Sequence, residues 1–238
     1  MAVRAGRPSR NRINRPDRTE RMGGMAASAV DEVRTGGPAA AGPARRPGTG
    51  AARGFALLLV ITGAAGLLAS WVITLDKFHL LEDPDFTPAC SLNPVVSCGS
   101  IMESDQAEAF GFPNPMLGLA AYAAVVAIGT GLLAGARYGR WFWLGLQAGT
   151  LFGVAFCTWL QYQSLYEINA LCLWCCLAWV ATLTMFWYTT AHNVRHGILP
   201  APAGARQFLA EFTWLLPVLH TGVIGMLILT RWWDFWTS

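Results

Sequence analysis

Five long apolar stretches constrain the fold of this 238-residue chain more than any other feature of its sequence. They lie at about residues 54–75, 115–136, 141–163, 170–191 and 212–232 and carry almost no charge. Each has about 20 residues, enough for an α-helix to cross a hydrocarbon core about 30 Å thick. Only 13% of the residues are charged, whereas soluble domains have about a quarter. The pattern predicts an all-α membrane protein with five transmembrane helices.

The distribution of basic residues predicts the orientation of these helices. Residues 1–53 contain eleven of the seventeen Lys and Arg residues, whereas loop 76–114 has only Lys77 against seven acids. Cytoplasmic segments of membrane proteins are enriched in Lys and Arg. We therefore expect a multi-pass protein of the plasma (inner) membrane with a cytoplasmic N-terminus. Loop 76–114, the turn 164–169 and the C-terminus then lie on the extracytoplasmic side.

The sequence divides into three parts. Residues 1–53 are rich in Arg, Gly, Pro and Ala, which is typical of a disordered cytoplasmic tail. We expect such a tail to contact anionic lipid of the bilayer before nucleic acid, and we expect no nucleic-acid partner. Residues 54–191 then form a four-helix core, and residues 192–238 form a cytoplasmic turn and the fifth helix.

Four of the six cysteines are predicted to lie at the extracytoplasmic face, where disulfides persist. Cys90 and Cys98 lie in the loop sequence "CSLNPVVSC", and Cys172 and Cys175 open the fourth span in "CLWC". With Asn169 as a helix cap, the second pair lies at a helix N-terminus, where the macrodipole lowers the pKa of a thiol. Thiol oxidoreductases use this arrangement.

The cysteines also allow less specific interpretations. Cys157, in the third span, and Cys176 are expected to be small buried apolar residues. The spacing C-x2-C with two further cysteines is also a common zinc ligand set, but no histidine lies beside Cys90 or Cys98, and we expect no metal. The loop pair is either a permanent structural disulfide or one half of a relay that exchanges through a mixed disulfide. A relay in a membrane needs an electron acceptor, and a lipid-soluble quinone fits this position.

The order of the motifs resembles the vitamin K epoxide reductase family. The loop "CSLNPVVSC" is followed by Ser104, by "FGFPNPMLGLAAY" and by "CLWC" at the start of a later helix. The resemblance covers about residues 54–190 and is closest to bacterial members, which act as DsbB-like quinone-linked disulfide-forming oxidases. It implies a four-helix bundle around a quinone of the menaquinone or ubiquinone type, with the fifth helix and the tail outside it.

The resemblance also implies a role for each of the four cysteines. Cys175 would act on the quinone, Cys172 would exchange with the loop through Cys98, and Cys90 would face a thioredoxin-fold partner of the DsbA kind. The resting state is either Cys90–Cys98 with Cys172–Cys175, or a crossed Cys98–Cys172 bond. About six residues follow the last predicted span, so we expect the partner to be a separate protein.

Three further residues match family positions. Ser104 corresponds to a residue that aids the cysteines or the quinone, although a loop serine has the same sequence signal. Asn114 corresponds to an asparagine that binds a quinone oxygen, and it is also a candidate N-cap before Pro115. Trp179 replaces the tyrosine with which vertebrate members reach the quinone, and its indole N–H can still donate to a quinone oxygen.

Two alternative functions follow from these observations. One is a reductase of a quinone or vitamin K epoxide, against which Trp179 weighs. The other is a non-catalytic membrane protein with structural disulfides or a metal site. In the fifth span, His220 is an ionisable residue at membrane depth, and we expect it to be neutral and bonded to a neighbouring helix.

Overall fold

The computed structural model describes residues 50–83 and 85–237, and these residues form helices joined by short loops. The first part of the chain forms α1 (Arg53–Glu82), α2 (Cys98–Met102), a 3-10 turn (Asp105–Glu108), α3 (Asn114–Leu133) and α4 (Arg140–Tyr162). After a π-helical turn (Gln163–Ile168) come α5 (Leu173–Arg195), α6 (Ala203–Glu211), α7 (Leu215–Arg231) and α8 (Trp233–Thr237). The predicted all-α membrane fold is confirmed. The predicted tail, residues 1–53, lies almost entirely outside the described residues.

Four of these helices, α1, α3, α4 with its π-helical turn, and α5, are long and apolar enough to cross a membrane. The predicted fifth span, 212–232, corresponds to α7, which meets α6 at a bend of 77°. The bent pair gives a fifth span if it is counted as one. Helix α1 also continues to Glu82, so the first residues of loop 76–114 are helical and the connection to α3 is shorter than predicted.

Small residues allow α1 and α3 to pack closely. A Cβ atom on Gly129 would lie 3.0 Å from the backbone nitrogen of Val60 and 3.1 Å from the carbonyl oxygen of Ala56. Gly66 of α1 likewise leaves room for the ring of Tyr122 on α3. Close packing of this kind, through small residues, drives helix association in membranes. It fixes α3 against α1, while α4 packs against α5.

Polar side chains connect the remaining helices. The amide of Gln147 on α4 donates to Thr190 Oγ1 of α5 at 3.0 Å, and Asn193 Nδ2 donates back to Gln147 Oε1 at 3.0 Å. On α7, His220 Nδ1 accepts a hydrogen bond of 3.3 Å from the indole of Trp187 on α5. An accepting ring nitrogen carries no proton, so His220 has the neutral, helix-bonding role expected from the sequence.

Candidate active site

The loop cysteines are joined in a disulfide, with Cα atoms 5.7 Å apart. The structure therefore has neither of the two resting states considered from the sequence: the loop pair is bonded, but Cys172 and Cys175 are free. The turn between Cys90 and Cys98 is shaped by Asn93, whose Oδ1 accepts the N–H of Val95 at 3.0 Å and that of Val96 at 2.7 Å. Cys98 is fully buried, whereas Cys90 keeps 6% exposure and lines a small surface hollow beside Ala89 and Trp174. The disulfide is therefore largely enclosed, and Cys90 is its outer end.

A short backbone bridge attaches the loop to the segment before α5. The N–H of Leu171 donates to Val95 O at 2.7 Å, and the N–H of Ser97 donates to Leu171 O at 2.9 Å. Cys98 follows Ser97 directly and Cys172 follows Leu171 directly, so the bridge brings the two cysteine pairs together. Cys98 and Cys172 belong to one buried cluster, completed by Ile73, Cys90 and Met102.

The helix pair lies at the start of α5. Cys172 is the N-cap residue, and its sulfur accepts the backbone N–H of Cys175 at 3.3 Å. Both thiols are free. The predicted capping role of Asn169 is wrong, because Asn169 has a left-handed backbone with φ 57° and ends the preceding π-helical turn. Extended backbone at Cys172 separates that turn from the helix, so the cysteine itself caps α5.

The surroundings of Cys172 favour its thiolate. Its pKa is lowered, first by the hydrogen bond from the Cys175 thiol and then by the backbone N–H groups of Cys175 and Trp174, although burial acts in the opposite direction. Hydrogen bonds to the charged form of a group stabilise that form. The lowered pKa agrees with the prediction for a thiol at a helix start, but its main cause is the neighbouring thiol.

A cavity of about 620 Å³ lies among α1, α3, α4 and α5, next to the helix pair. Cys172 and Cys175 form part of its wall, and so do the three supporting residues predicted from the sequence: Ser104, Asn114 and Trp179. Its volume is in the usual range of about 300–1,000 Å³ for small-molecule sites. Cys90 and Cys98 do not line the cavity, and they meet Cys172 in the buried cluster.

Asn114 lines the cavity and is bonded to the segment that precedes α3. It is the first residue of α3, with Pro113 in the N-cap position, so the alternative capping role is wrong. Its Oδ1 accepts the N–H of Ala109 at 3.1 Å, and its Nδ2 donates to Gln106 O at 2.7 Å. Since an amide nitrogen has two hydrogens, one of them is not used in these hydrogen bonds.

Ser104 and Trp179 contribute different surfaces. The Ser104 hydroxyl donates to Ile101 O at 2.7 Å, and its proton is thereby used, so toward a ligand it can only accept. Trp179 is 4% exposed and lies one turn after Cys175. The cavity thus presents an amide at Asn114 and an accepting hydroxyl at Ser104 in a predominantly apolar wall.

Tyr122 is a cavity residue that the sequence interpretation missed. Its hydroxyl lies 2.7 Å from Thr182 Oγ1 and donates to Ala178 O at 3.2 Å. All three residues line the cavity, together with the buried Cys157. A tyrosine in an apolar helix has the sequence signal of an ordinary packing residue, so only the fold reveals that it lines the cavity.

Metal ligands are a separate question for a protein with six cysteines. Within residues 50–83 and 85–237, no group of three or more His, Cys, Asp or Glu side chains is arranged to hold a metal ion.

A membrane helix bundle with a free dithiol on a cavity wall, and a disulfide packed behind it, defines a membrane thiol–disulfide oxidoreductase. The sequence matches the Vitamin K epoxide reductase family over residues 57–190. This match covers more than half of the 238 residues, and the chain belongs to that family. No curated protein matches the chain. The resemblance drawn from the motifs is confirmed, while the roles assigned to single residues stay predictions.

Proposed function

We propose that this protein oxidises a separate extracytoplasmic thioredoxin-fold protein of the DsbA kind and passes the electrons to a membrane quinone. It would thereby support disulfide formation in exported proteins. One observation carries the proposal: a single buried cluster holds the Cys90–Cys98 disulfide beside Cys172, and Cys172 and Cys175 also line the cavity. A purely structural disulfide does not require a free dithiol beside it.

Electrons enter at the loop pair. A thiolate of the reduced partner attacks Cys90 and breaks the Cys90–Cys98 bond, so that Cys98 leaves as a thiolate. The second partner thiol then attacks its own mixed disulfide, which releases Cys90. The partner leaves with a disulfide, and the loop has gained two electrons and two protons.

Transfer to the helix pair follows by the same chemistry. The Cys98 thiolate attacks Cys172 of an oxidised helix pair and releases Cys175, and Cys90 then attacks Cys98 and releases Cys172. A thiol of lowered pKa is the better leaving group, and the pKa of Cys172 is lowered by its hydrogen bonds. The product has a loop disulfide and two free helix thiols, which is the state found in the structure.

The last step reforms the Cys172–Cys175 bond. A bound quinone supplies the acceptor for two electrons and two protons. Cys175 lies at the cavity wall and carries this contact, while the free amide hydrogen of Asn114 orients an acceptor oxygen. The apolar wall admits a lipid-soluble ring and keeps water from the thiols.

The proposed orientation places this site outside the cytoplasm, in the plasma membrane. Arg140 begins α4 and Arg195 ends α5, and both lie at the end of the bundle opposite the cysteines. Basic residues concentrate on the cytoplasmic side of membrane proteins. The cysteine pairs then face the compartment in which disulfides form and persist.

The test measures quinone absorbance with purified protein in detergent, a reduced DsbA-like protein and a quinone analogue. Wild type should reduce the quinone, whereas Cys172→Ser and Cys175→Ser should abolish the reaction. Cys90→Ser should lose only the reaction driven by the partner protein. Full activity of both helix-pair variants, or no quinone consumption by wild type, would refute the proposal. Replacing the quinone by its epoxide tests the alternative reaction, for which we expect no turnover.

A further inference from the structure

Helix α7 packs beside the site, although it lies outside the family match at residues 57–190. Ile224 and Ile228 of α7 and Trp232, which caps the end of this helix, follow one another at four-residue spacing and therefore lie on one side. They pack into the apolar cluster that contains Leu165 and Leu171. These two residues belong to the segment that leads from α4 to Cys172, so α7 supports that segment from outside the four-helix core.

Arg231, at the end of α7, binds the π-helical turn and the residue that follows it. Its Nε donates to Leu165 O at 3.0 Å, and its Nη2 donates to Asn169 Oδ1. The guanidinium carbon also lies 6.0 Å from the centre of the Trp232 ring. Arginine presents several donors in a rigid planar group, and here that group ties the π-helical turn to the residue that ends it.

Asn169 makes the turn sensitive to this contact. Its φ of 57° lies in the left-handed region, which asparagine tolerates better than most residues. The following residue closes the turn, because Ala170 N–H donates to Ser164 O at 3.2 Å and the Ser164 hydroxyl donates to Ala170 O. Leu171 then forms the bridge to the loop, and Cys172 comes next. Hydrogen bonds therefore hold the backbone of both residues between Asn169 and Cys172.

We infer that Arg231 is a positioning residue, which holds segment 165–171 in place and so keeps Cys172 within reach of Cys98. Its part in electron transfer rests on the proposed function, but the placement of the two thiols does not. Thiol exchange requires the attacking sulfur to be held close to its target, and the rate depends steeply on that placement. A helix added to the family core thereby aligns the central exchange step.

The test uses a background with Cys90→Ser and Cys175→Ser, and with Cys157 and Cys176 changed to Ala, in which Cys98 and Cys172 are the two cysteines left to form one disulfide. Oxidised glutathione converts the two thiols into that bond and releases two reduced glutathione molecules. The equilibrium, followed by alkylation and mass spectrometry, gives the effective molarity of Cys98 toward Cys172. Adding Arg231→Gln removes the guanidinium donors to Leu165 O and Asn169 Oδ1 and should lower it at least about tenfold, which is the effect of losing one hydrogen bond to a charged group. Arg231→Lys, with one compact donor group, should give an effective molarity between those of the background protein and Arg231→Gln.

Two further variants make the result specific. Asn169→Gly keeps the left-handed backbone and removes only the side-chain acceptor, while the bond from Arg231 to Leu165 O remains. It should therefore cause a smaller loss than Arg231→Gln, and combining both should cause no more loss than Arg231→Gln alone. Arg206→Gln, on α6 and away from the site, removes a charge and should change nothing. Unchanged effective molarity in Asn169→Gly and Arg231→Gln, even with a lower melting temperature, would overturn the inference. If Arg231→Gln does not fold, Asn169→Gly decides alone.

This measurement needs neither a quinone nor a partner protein. A tenfold loss of effective molarity in a protein that never reduces quinone would support the positioning role and refute the proposed function. Normal quinone reduction by wild type, with an unchanged effective molarity in the variants, would support the proposed function and refute the positioning role.

Discussion

Asn93 offers a direct test of how the loop is held against the helix pair. Its side-chain oxygen accepts two backbone N–H groups, those of Val95 and Val96, and both valines are 7% exposed. Asn93→Ala leaves these two donors without their partner. An unpaired buried donor costs about 1–3 kcal/mol, and a surface turn can relax to recover part of this cost. We therefore expect the ordered conformation of the loop to be destabilised by about 2 kcal/mol.

This loss should appear in the transfer between cysteine pairs. The carbonyl of Val95 accepts the N–H of Leu171, so a disordered turn no longer presents Cys98 to Cys172. A difference of about 2 kcal/mol corresponds to a rate about 30-fold lower. The assay is single-turnover quinone reduction driven by the reduced partner protein, with thermal unfolding measured in parallel to show that the bundle is intact.

Asn93→Asp is the matched control, because its carboxylate keeps both accepting positions. We expect its rate to stay within about threefold of wild type, since hydrogen bonds to a charged acceptor are at least as strong as neutral ones. Two results would refute the reasoning: a wild-type rate in Asn93→Ala, or an equal loss in Asn93→Asp.

Three other perturbations test separate parts of the site. Cys175→Ala removes the main cause of the lowered pKa of Cys172, so the thiolate should be lost at a higher pH as the solution is acidified. Alkylation of Cys172 followed against pH should show this rise, whereas Cys175→Ser keeps a donor and should shift less. Gly129→Ala should destabilise the bundle by about 1–3 kcal/mol through overpacking against backbone atoms, while Gly222→Ala, with open space around it, should not lower the melting temperature. Asn114→Ala should raise the KM for quinone about two- to tenfold with a smaller change in kcat, as expected for one lost neutral hydrogen bond; an unchanged KM would remove Asn114 from the binding site.

The features predicted well from the sequence depend on local patterns. A membrane requires long apolar helices because unpaired backbone groups are too costly in hydrocarbon, so hydropathy alone located α1, α3, α4 and α5. The spacing of Cys172 and Cys175 likewise needs only the start of one helix. Its capping residue was assigned wrongly because asparagine favours both helix caps and left-handed turn ends, and only the backbone shows which of the two occurs at Asn169.

Other features depend on contacts between distant parts of the chain. The bridge between Val96 and Leu171 joins segments that carry no strand pattern, so periodicity could not reveal it. The hydrogen bonds of Arg231 to the turn before α5 have no sequence signal at all. Tyr122 was missed for a related reason, because an aromatic residue facing a cavity and one facing another helix have the same local sequence.

The position of Cys172 between two environments has a consequence for how the chain separates its reactants. Its sulfur belongs to the buried cluster with the loop disulfide and also to the wall of the cavity. In the proposed reaction, a water-soluble protein thiol and a lipid-soluble oxidant would therefore act at two different places, and Cys172 would be the residue common to both. Electrons would then cross between the two phases in pairs, as an exchange of disulfide partners.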